Sequence, residues 1–573
     1  MATLTAAAVA GSAHADLPGA DPQLTRAPYL SDLTTSSVRV NWGTSTRSTG
    51  IVRYGPLGNC TANSVSATAQ GTTITVNGVT EYQNTVTVAG LSANTTYCYR
   101  VFTGGTDPVD LLGSNPSPAF TTRQGPTGTQ PFTFAVIGDW GDTTNGGVNN
   151  GSLNVNQANV MAGLGASGAR FALSTGDVAY PSGNQTNYGD LDQTGVNISA
   201  VFGPSYWAVP GQSVPMYATN GNHGRNSTLL TNWPETRTAA ASNGVYAMTS
   251  YPSILGTNPA SYPSTYYAFS NGGVRFYVLD ASWSDSNLGS STGDRCPVPN
   301  RSCQQYELDR LAHWTPSSAE YQWLQQDLAT HSEQVKIAAF HYPLRSDDPT
   351  EPDDVYLKNT PGSTDSLEQL LHDNGVDLVF NGHAHIYQRN VAPPGGVPAY
   401  VTGGGGGKLT SVGGRGCAPT DAYALGWSYS STTHGKACGA APRPTSDSQV
   451  HHFLKVAVNG TTVTVSPTDA QGNVFDQQVY DFAADTTDPT APGSFTVTRS
   501  GTSTMVLSWS GASDNRGVAA YDVYRDGSYL ATVPAGQLTY SDKQATCPGS
   551  YQYEVRARDL AGNTAGVTRT VSC

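Results

Sequence analysis

The sequence predicts a multidomain protein in which a β-sandwich comes first, a layered α/β domain follows and a second β-sandwich closes the chain. At 573 residues the chain is too long for one ordinary core, so roughly two to four domains are expected. Both ends alternate apolar and polar residues in short β-rich runs, whereas the middle has near-continuous apolar runs separated by helical patterns. Length and these two kinds of periodicity together predict the three-part order.

The first domain is predicted to cover residues 24–124, after a leader at 1–23. Its clearest β-rich runs are Ser37–Trp42, Thr73–Val76 and Thr85–Val88. Each run alternates apolar and polar side chains, which is the period of a half-buried strand in an antiparallel sandwich. The segment LSANTTYCYR, which ends at Arg100, resembles the end of a fibronectin type III module, and a Gly/Pro/Thr/Gln linker follows it.

The central domain is predicted to cover residues 130–485. Its buried strands are predicted at Phe132–Ile137, Phe171–Thr175 and Val335–Phe340, and its helices at Asn154–Leu164 and Thr364–Asp373. Strands that alternate with helices indicate an α/β layer structure whose strands are covered on both faces. Ser317 and Glu320 form a capping-box pattern that predicts the start of a further helix.

Polar side chains with metal-binding capacity follow these three strands and two further apolar runs, Met216–Ala218 and Val376–Phe380. They are Asp139, Asp177 with Tyr180, Asn222, His341, and His383 with His385; His223 directly follows Asn222. Taken singly, each has an ordinary interpretation as a turn former, a packed aromatic or a core histidine. Five such blocks at successive strand ends favour one shared site instead, because open α/β sheets bind ligands at the carboxyl ends of their strands.

The side chains of this predicted site offer carboxylate, imidazole, amide and phenol donors and no thiolate. Such a set suits Fe, Zn, Mn or a mixture of these metals. Seven ligands are too many for one ion with an open position. They fit two ions that share a bridging carboxylate, an arrangement used in phosphoryl transfer.

The blocks GDW, GDVAY, GNH, FHYP and GHAH, in this order, resemble the signature of the calcineurin-like metallophosphoesterases. With a tyrosine three residues after the second aspartate, the sequence resembles the purple acid phosphatases in particular. This resemblance implies a four-layer α/β sandwich behind a fibronectin-like domain. The resemblance implies an Fe(III) ion and a divalent Zn, Fe or Mn ion as cofactors. It also implies one set of roles: Asp139, Tyr180 and His385 hold the iron, Asn222, His341 and His383 hold the divalent ion, and Asp177 bridges them.

The same resemblance implies that a metal-bound hydroxide attacks phosphorus in line while His223 assists the leaving group. The sequence departs from the family pattern at Gly224, where Asp or Glu is usual. It departs again in YPLRSDDPTEP after His341, where many members have a further histidine. Arg345 is the predicted substrate-binding replacement for that positive charge, and a solvated loop arginine is the alternative interpretation.

The last domain is predicted to cover residues 488–573. Its stretch DPTAPGSFTVTRSGTSTMVLSWSGASDNRGVAAYDVYRDG resembles a bacterial fibronectin type III domain. Trp509 and the alternation Tyr551, Tyr553, Val555 are its predicted core positions. This module is expected to serve spacing or attachment, with contact to a cell surface or a polysaccharide.

Eight cysteines form four couples that are local in sequence: Cys60 with Cys98, Cys296 with Cys303, Cys417 with Cys438, and Cys547 with Cys573. Four disulfides in an oxidising compartment are predicted, and eight reduced thiols are the alternative. The stretch Leu4–Ala10 before Ala13-His14-Ala15 resembles a signal peptide without its basic region, so either the start is truncated or this is not a signal. The protein is predicted to be secreted.

The formal net charge of -13 offers no basic surface for a nucleic-acid backbone, and no later stretch has the apolar length of a membrane span. Gly403–Gly407 lacks the spacings of nucleotide-binding loops and is expected to allow close backbone approach beside the site. The predicted function is hydrolysis of small phosphomonoesters. The alternatives are hydrolysis of phosphodiesters, nucleotides or phospholipid head groups at the same site, and an adhesion or polymer-binding protein without catalysis.

Overall fold

The computed structural model describes residues 24–76, 79–141, 154–180, 183, 185–188, 214–223, 247–248, 264–281, 316, 318–350, 357–358, 366–414 and 416–572. The predicted leader, Gly224, Cys296 and Cys303 lie outside these residues. The architecture is multidomain and mainly β, with two β-sandwiches around an α/β sandwich. The predicted fold class is therefore confirmed, and the predicted domain boundaries stay predictions.

The first domain contains eight strands in two sheets. They are β1 (Leu24–Ser31), β2 (Ser37–Thr44), β3 (Ile51–Pro56), β4 (Asn63–Ser66), β5 (Thr72–Val76), β6 (Val79–Ala89), β7 (Thr96–Phe102) and β8 (Ala119–Thr121). One sheet has the order β1-β2-β6-β5 and the other β4-β3-β7-β8. Val38, Val40 and Trp42 of β2 are fully buried and share a core with Tyr99 and Val101 of β7, as facing sheets of a sandwich do.

The central domain contains sixteen strands and four helices among the described residues. In order these are β9 (Phe132–Ile137), α1 (Val155–Ala166), β10 (Ala172–Ser174), α2 (Gln185–Tyr188), β11 (Met216–Ala218), β12 (Ala247–Met248), β13 (Ser264–Thr265), β14 (Tyr267–Asn271), β15 (Val274–Val278), α3 (Ala319–Thr330), β16 (Val335–Ala339), α4 (Leu367–Asp373), β17 (Leu378–Asn381), β18 (Tyr387–Asn390), β19 (Ala399–Thr402), β20 (Asp421–Trp427), β21 (Gly435–Gly439), β22 (His452–Asn459), β23 (Thr462–Asp469) and β24 (Gln478–Asp481). A short 3-10 helix, Asp447–Gln449, precedes β22.

These strands form two large mixed sheets. One has the order β11-β10-β9-β22-β23-β24, and its first three strands are parallel. The other has the order β14-β15-β16-β17-β19-β18-β20-β21, and β15, β16, β17 and β19 are parallel. The short pair β12 and β13 stands apart as a two-stranded sheet.

Side-chain alternation along the buried strands produces four layers. In β9, Phe134 and Val136 face the space between the two sheets, whereas Ala135 and Ile137 pack with residues of α1. In β16 and β17, Ile337 and Phe380 are in the inner layer and their alternating neighbours pack with α3 and α4. The rings of Phe134 and Phe276 meet edge to face at 5.1 Å across the inner layer. Both faces of each sheet are thereby covered.

The predicted helices are present, with corrections to two helix starts: the helix predicted from Thr364 begins at Leu367. Asn154 caps α1 and Ser366 caps α4 by accepting backbone N–H groups. The third helix is capped by Ser318, whose hydroxyl accepts from the Tyr321 N–H, so the capping box on Ser317 was wrong by one residue. Glu320 therefore does not complete a box; its carboxylate accepts the backbone N–H of Asp280 at 2.9 Å instead.

The last domain is a smaller sandwich of three and four strands. Its strands are β25 (Gly493–Ser500), β26 (Thr504–Ser510), β27 (Ala520–Arg525), β28 (Ser528–Pro534), β29 (Thr539–Asp542), β30 (Ser550–Arg558) and β31 (Thr564–Ser572). The sheet orders are β25-β26-β29 and β28-β27-β30-β31. Trp509, Tyr553 and Val555 are buried as predicted, and Tyr551 lies half-buried at the margin of the same core.

Two of the predicted disulfides, Cys60–Cys98 and Cys417–Cys438, are formed in the structure. Cys547 is also disulfide-bonded, and Cys573 lies outside the described residues. Within the described part of the chain every cysteine is bonded. A search of the same residues finds no helix with the length and apolarity of a membrane span.

Candidate metal centre

The ends of five parallel strands, three from one large sheet and two from the other, deliver the predicted site residues to one place. Asp139, Asp177 and Asn222 follow β9, β10 and β11, and His341 and His383 follow β16 and β17. Tyr180 and His385 lie a few residues further along two of these loops. All seven predicted metal-binding residues are brought together, and they form two groups joined by one carboxylate.

The first group surrounds the phenol oxygen of Tyr180. This oxygen lies 3.0 Å from Asp139 Oδ1, 2.8 Å from Asp177 Oδ2 and 3.0 Å from His385 Nε2. His385 Nε2 also lies 3.4 Å from Asp139 Oδ1. The carboxylate of Asp139 is fully buried.

The second group surrounds the amide oxygen of Asn222. This oxygen lies 2.7 Å from His341 Nε2 and 3.0 Å from His383 Nδ1. The rings of His341 and His383 meet edge to face at 5.1 Å. Three donor atoms from three different strand ends therefore converge here.

Asp177 belongs to both groups. Its Oδ2 lies 2.8 Å from the Tyr180 phenol and 3.4 Å from His341 Nε2. Asp139, Asp177 and His341 each have a ligand atom within 4.8 Å of the others. A carboxylate between two donor groups is the geometry that two cations with a shared ligand require.

Whether these residues fit metal ions can be tested by comparing their hydrogen-bond acceptors with the protons available. Both groups contain more acceptors than protons. His341 Nδ1 lies 2.9 Å from the Thr175 carbonyl and His385 Nδ1 lies 2.8 Å from the Lys408 carbonyl. A carbonyl only accepts, so both Nδ1 atoms carry protons and both rings turn Nε2, the nitrogen that can bind a metal, toward the site. The Tyr180 phenol likewise has one proton for three acceptors. Bound cations satisfy these contacts, so the donor set fits them.

The buried charges of the site raise one pKa and lower another. Burial alone would lower the pKa of His341, but the carboxylates of Asp177 and Asp139 outweigh it and raise that pKa to about 9. Burial alone would raise the pKa of Asp177, yet His341 and His223 hold it below its ordinary value. Without a metal, the site therefore retains a proton where a cation would bind.

The loops of the site lie close together, with strained backbone at three predicted ligands and glycines at the closest contacts. Asp139, Asp177 and His383 have φ values of 56°, 46° and 68°, a region that non-glycine residues adopt at a cost of about 1–3 kcal/mol each. A Cβ on Gly221 would lie 2.0 Å from Asp177 Oδ1, and one on Gly407 would lie 2.6 Å from the His385 ring. The expected close approach of Gly403–Gly407 to the site is thus seen.

His223 stands beside both groups. Its backbone N–H donates to Asp177 Oδ1 at 2.8 Å, and its ring lies 4.6 Å from the ring of Tyr180. The side chain is partly exposed, unlike the buried carboxylates around it. The backbone hydrogen bond and the ring contact hold this imidazole beside Asp177 and Tyr180, and its catalytic role stays a prediction.

Arg345 is engaged with another residue. Its guanidinium makes two parallel hydrogen bonds to the fully buried carboxylate of Glu368, at 2.7 and 2.6 Å. Glu368 also accepts the Val397 N–H at 2.9 Å. A substrate phosphate would have to compete with this pair, so the predicted substrate contact of Arg345 gains no support from its surroundings.

Three supporting contacts of the site were not predicted from sequence. The Thr175 and Lys408 carbonyls orient His341 and His385, and the ring of Tyr342 packs at 4.2 Å on His383. The position of Lys408 directly after the glycine run was the only local signal for such a contact. His451 and His452 are buried behind this run and contact Gly404.

Two family models match the chain. Residues 27–123 match the N-terminal domain of purple acid phosphatases, and residues 132–387 match the calcineurin-like phosphoesterases. Purple acid phosphatase 15 of Arabidopsis thaliana is 24% identical over 343 residues, which cover 56% of this chain and 53% of that protein. The chain therefore spans about half the length of this plant relative.

A bacterial protein and a solved structure are also similar. Chitinase C of Streptomyces lividans is 42% identical over 83 residues, 14% of this chain and 13% of that protein. The structure of purple acid phosphatase PPD1 from yellow lupin seeds has a TM-score of 0.49 at 15% identity and covers 79% of this chain and 73% of that chain.

Proposed function

The chain belongs with the calcineurin-like phosphoesterases and has the N-terminal domain of the purple acid phosphatases, and from this premise we propose that it is a secreted phosphatase with a dinuclear metal centre. The predicted family resemblance is confirmed by the two matched domains. The observation that carries the proposal is the convergence of seven residues with nitrogen and oxygen ligand atoms in two groups that the Asp177 carboxylate joins. The proposed reaction is hydrolysis of small phosphomonoesters.

The proposed ligands divide as the two groups do. Asp139, Tyr180 and His385 would hold Fe(III), and Asn222, His341 and His383 would hold Zn, Fe or Mn. When bound, such ions supply Lewis-acid polarisation of a phosphate ester and activation of water. Asp177 would lie between the two positions because its Oδ2 contacts both groups.

The residues of the chain supply orientation and a proton. The Thr175 and Lys408 carbonyls hold two imidazoles with their Nε2 atoms toward the site. The buried carboxylates of Asp139 and Asp177 attract cations to a site that is shielded from bulk water. His223, as imidazolium, would donate its proton to the leaving oxygen of the ester, and its partly exposed ring suits contact with substrate.

A phosphodiesterase at the same site is the second candidate. Within the described part of the chain, the cation that follows His341 is Arg345, and Glu368 neutralises it. A phosphodiester has less negative charge than a phosphomonoester dianion and so needs less positive charge around it. Nucleotides and phospholipid head groups fall in the same class of alternatives.

Attachment is the role proposed for the last domain. The similarity to chitinase C has about the length of this sandwich, which makes a polysaccharide the proposed partner. Export from the cell is proposed because the described cysteines are all bonded, as expected in an oxidising compartment. A non-catalytic adhesion protein is the remaining alternative.

The test is hydrolysis and metal content of the purified full chain supplied with iron and zinc. We expect about two metal ions per chain and faster turnover of p-nitrophenyl phosphate than of bis(p-nitrophenyl) phosphate. Asp177→Asn should abolish hydrolysis, whereas Asp373→Asn, an exposed residue of α4, should leave it unchanged. Less than one ion per chain together with no hydrolysis would refute the enzyme, and the reverse ester preference would select the diesterase.

A visible spectrum tests the iron position separately. Because a phenolate on Fe(III) absorbs visible light, Tyr180→Phe should remove the band of the iron-loaded protein. Tyr342→Phe, which changes a tyrosine packed on His383 in the other group, should keep it. A band that survives in Tyr180→Phe would assign the phenolate to another residue.

A further inference from the structure

Three carboxylates meet where the last domain joins the central one. Asp485 lies in the linker between β24 and β25, Asp514 lies in the loop between β26 and β27, and Asp559 directly follows β30. One carboxylate oxygen of each lies within 4.8 Å of the others. These residues are distant from the candidate metal centre in sequence and belong to none of its loops.

Two of these carboxylates keep a buried oxygen without a hydrogen bond. The Asp485 side chain is 5% exposed and its Oδ2 accepts no hydrogen bond. Asp514 Oδ1 is also buried and accepts no hydrogen bond. Asp559 is 1% exposed, and its two oxygens accept from the backbone and side-chain nitrogens of Asn563. A buried carboxylate oxygen without a hydrogen bond is costly, so it indicates a missing ligand.

The second carboxylate oxygen of Asp485 and that of Asp514 accept the hydrogen bonds that this region offers. Asp485 Oδ1 accepts from the Thr487 N–H at 2.9 Å and from Asn515 Nδ2 at 3.3 Å. Asp514 Oδ2 accepts from the backbone N–H groups of the next turn at 2.7 and 3.1 Å. Asp485 Oδ2 and Asp514 Oδ1 are therefore the oxygens left to bind a cation.

The charge of the cluster matches a divalent ion. The three carboxylates contribute three negative charges. Arg516 is the nearby cation, and its Nε lies 3.6 Å from Asp485 Oδ2, while its Nη1 binds Asp481. Because one arginine neutralises only one charge, about two negative charges remain.

We propose that Asp485, Asp514 and Asp559 bind a calcium ion. All three donors are carboxylate oxygens without imidazole or thiolate, a set that selects hard cations. Calcium takes about six to eight oxygen ligands, carboxylates among them, whereas magnesium usually keeps several waters and binds only one or two carboxylates, so three carboxylates favour calcium.

The proposed ion connects the linker to two loops at one end of the last sandwich. At the same end, Arg558 donates to the Ala392 carbonyl of the central domain at 2.5 Å and to Asp522 of its own sheet at 2.8 Å. A calcium ion on Asp485 would add a second fixed point between the two domains. The site therefore stiffens the junction, and this proposal does not depend on the proposed phosphatase activity.

The experiment measures calcium binding by the full chain after treatment with a chelator. Equilibrium dialysis with radioactive calcium should show one ion that wild type binds and that both Asp485→Asn and Asp514→Asn lose, with half-saturation at about 0.1–1 mM. Proteolysis in the linker, residues 482–493, should slow at least about five-fold in 5 mM calcium. Near-ultraviolet circular dichroism checks that the variants fold.

Two controls separate this site from others. Asp488→Asn changes an exposed acid of the same linker and should bind calcium as wild type does. Asp177→Asn changes the candidate metal centre and should also keep the ion. The proposal is overturned if wild type binds no calcium at 5 mM, if the two site variants bind as much as wild type, or if Asp177→Asn loses the ion.

Discussion

Replacement of Gly221 by alanine would place a methyl group against Asp177, at the position directly before Asn222. The added Cβ would lie 2.0 Å from Asp177 Oδ1 and 2.3 Å from the Asp177 backbone nitrogen. Real Cβ atoms essentially never approach other atoms within 3.0 Å, so the two loops must separate by about 1 Å. Part of the obstacle is backbone, which a rotamer change cannot relieve.

The separation moves Asp177 relative to Asn222, the residue that follows Gly221. A displacement of about 1 Å in a catalytic constellation costs about 100-fold in rate. We therefore expect Gly221→Ala to lower kcat/KM for p-nitrophenyl phosphate about 100-fold, or about 2.7 kcal/mol of transition-state stabilisation. The fold should persist because the change is confined to one turn.

The assay is steady-state hydrolysis at saturating iron and zinc, with circular dichroism as the check on folding. Gly273→Ala is the matched control, since its added Cβ would meet no atom within 4 Å and its backbone lies outside the left-handed region. It should keep wild-type kinetics. If Gly221→Ala stays within about three-fold of wild type, the close approach of these loops does not control the chemistry.

Two further predictions concern residues that support the fold. Glu368→Gln should lower the free energy of unfolding, measured in urea, by about 3–5 kcal/mol because it leaves the buried Arg345 charge unpaired. Glu554→Gln changes a partly exposed pair with Arg556 and should cost under about 1 kcal/mol. Equal losses in the two variants would contradict this prediction. Burial lowers the pKa of His452 from 6.5 to about 4, so the unfolded chain binds a proton between these values that the folded chain does not. The free energy of unfolding should therefore fall as pH drops from 6.5 to about 4, by at most about 1.4 kcal/mol per pH unit for this residue. His452→Gln should show a shallower fall than wild type. Parallel plots of unfolding free energy against pH would refute the role of His452.

The parts of the fold that follow from local sequence were predicted well. The apolar runs that became β9 and β16 and the caps of α1 and α4 depend on neighbouring residues alone. The return of β22 to pair with β9 was not predictable in this way, because periodicity reports that a strand is buried and not which strand lies beside it.

The site shows the same division. Its donor residues could be predicted because they stand in five short blocks, each directly after a buried strand. Their supports could not, since the Lys408 carbonyl and the Glu368 partner of Arg345 are chosen by the tertiary packing. The same holds for the junction carboxylates, where Asp485 and Asp559 meet although 74 residues separate them.

The origin of the proposed ligands in two different sheets links metal binding to the order of folding. The backbone N–H of His383 binds Asp139 Oδ2 across 244 residues of chain, and β9, which leads to Asp139, is held in place partly by β22, still further along. A nascent chain therefore cannot assemble both donor groups until nearly the whole central domain has been synthesised. Metal occupancy would then report completed folding, and withdrawal of the ions would loosen the contact between the two sheets before either sheet melts.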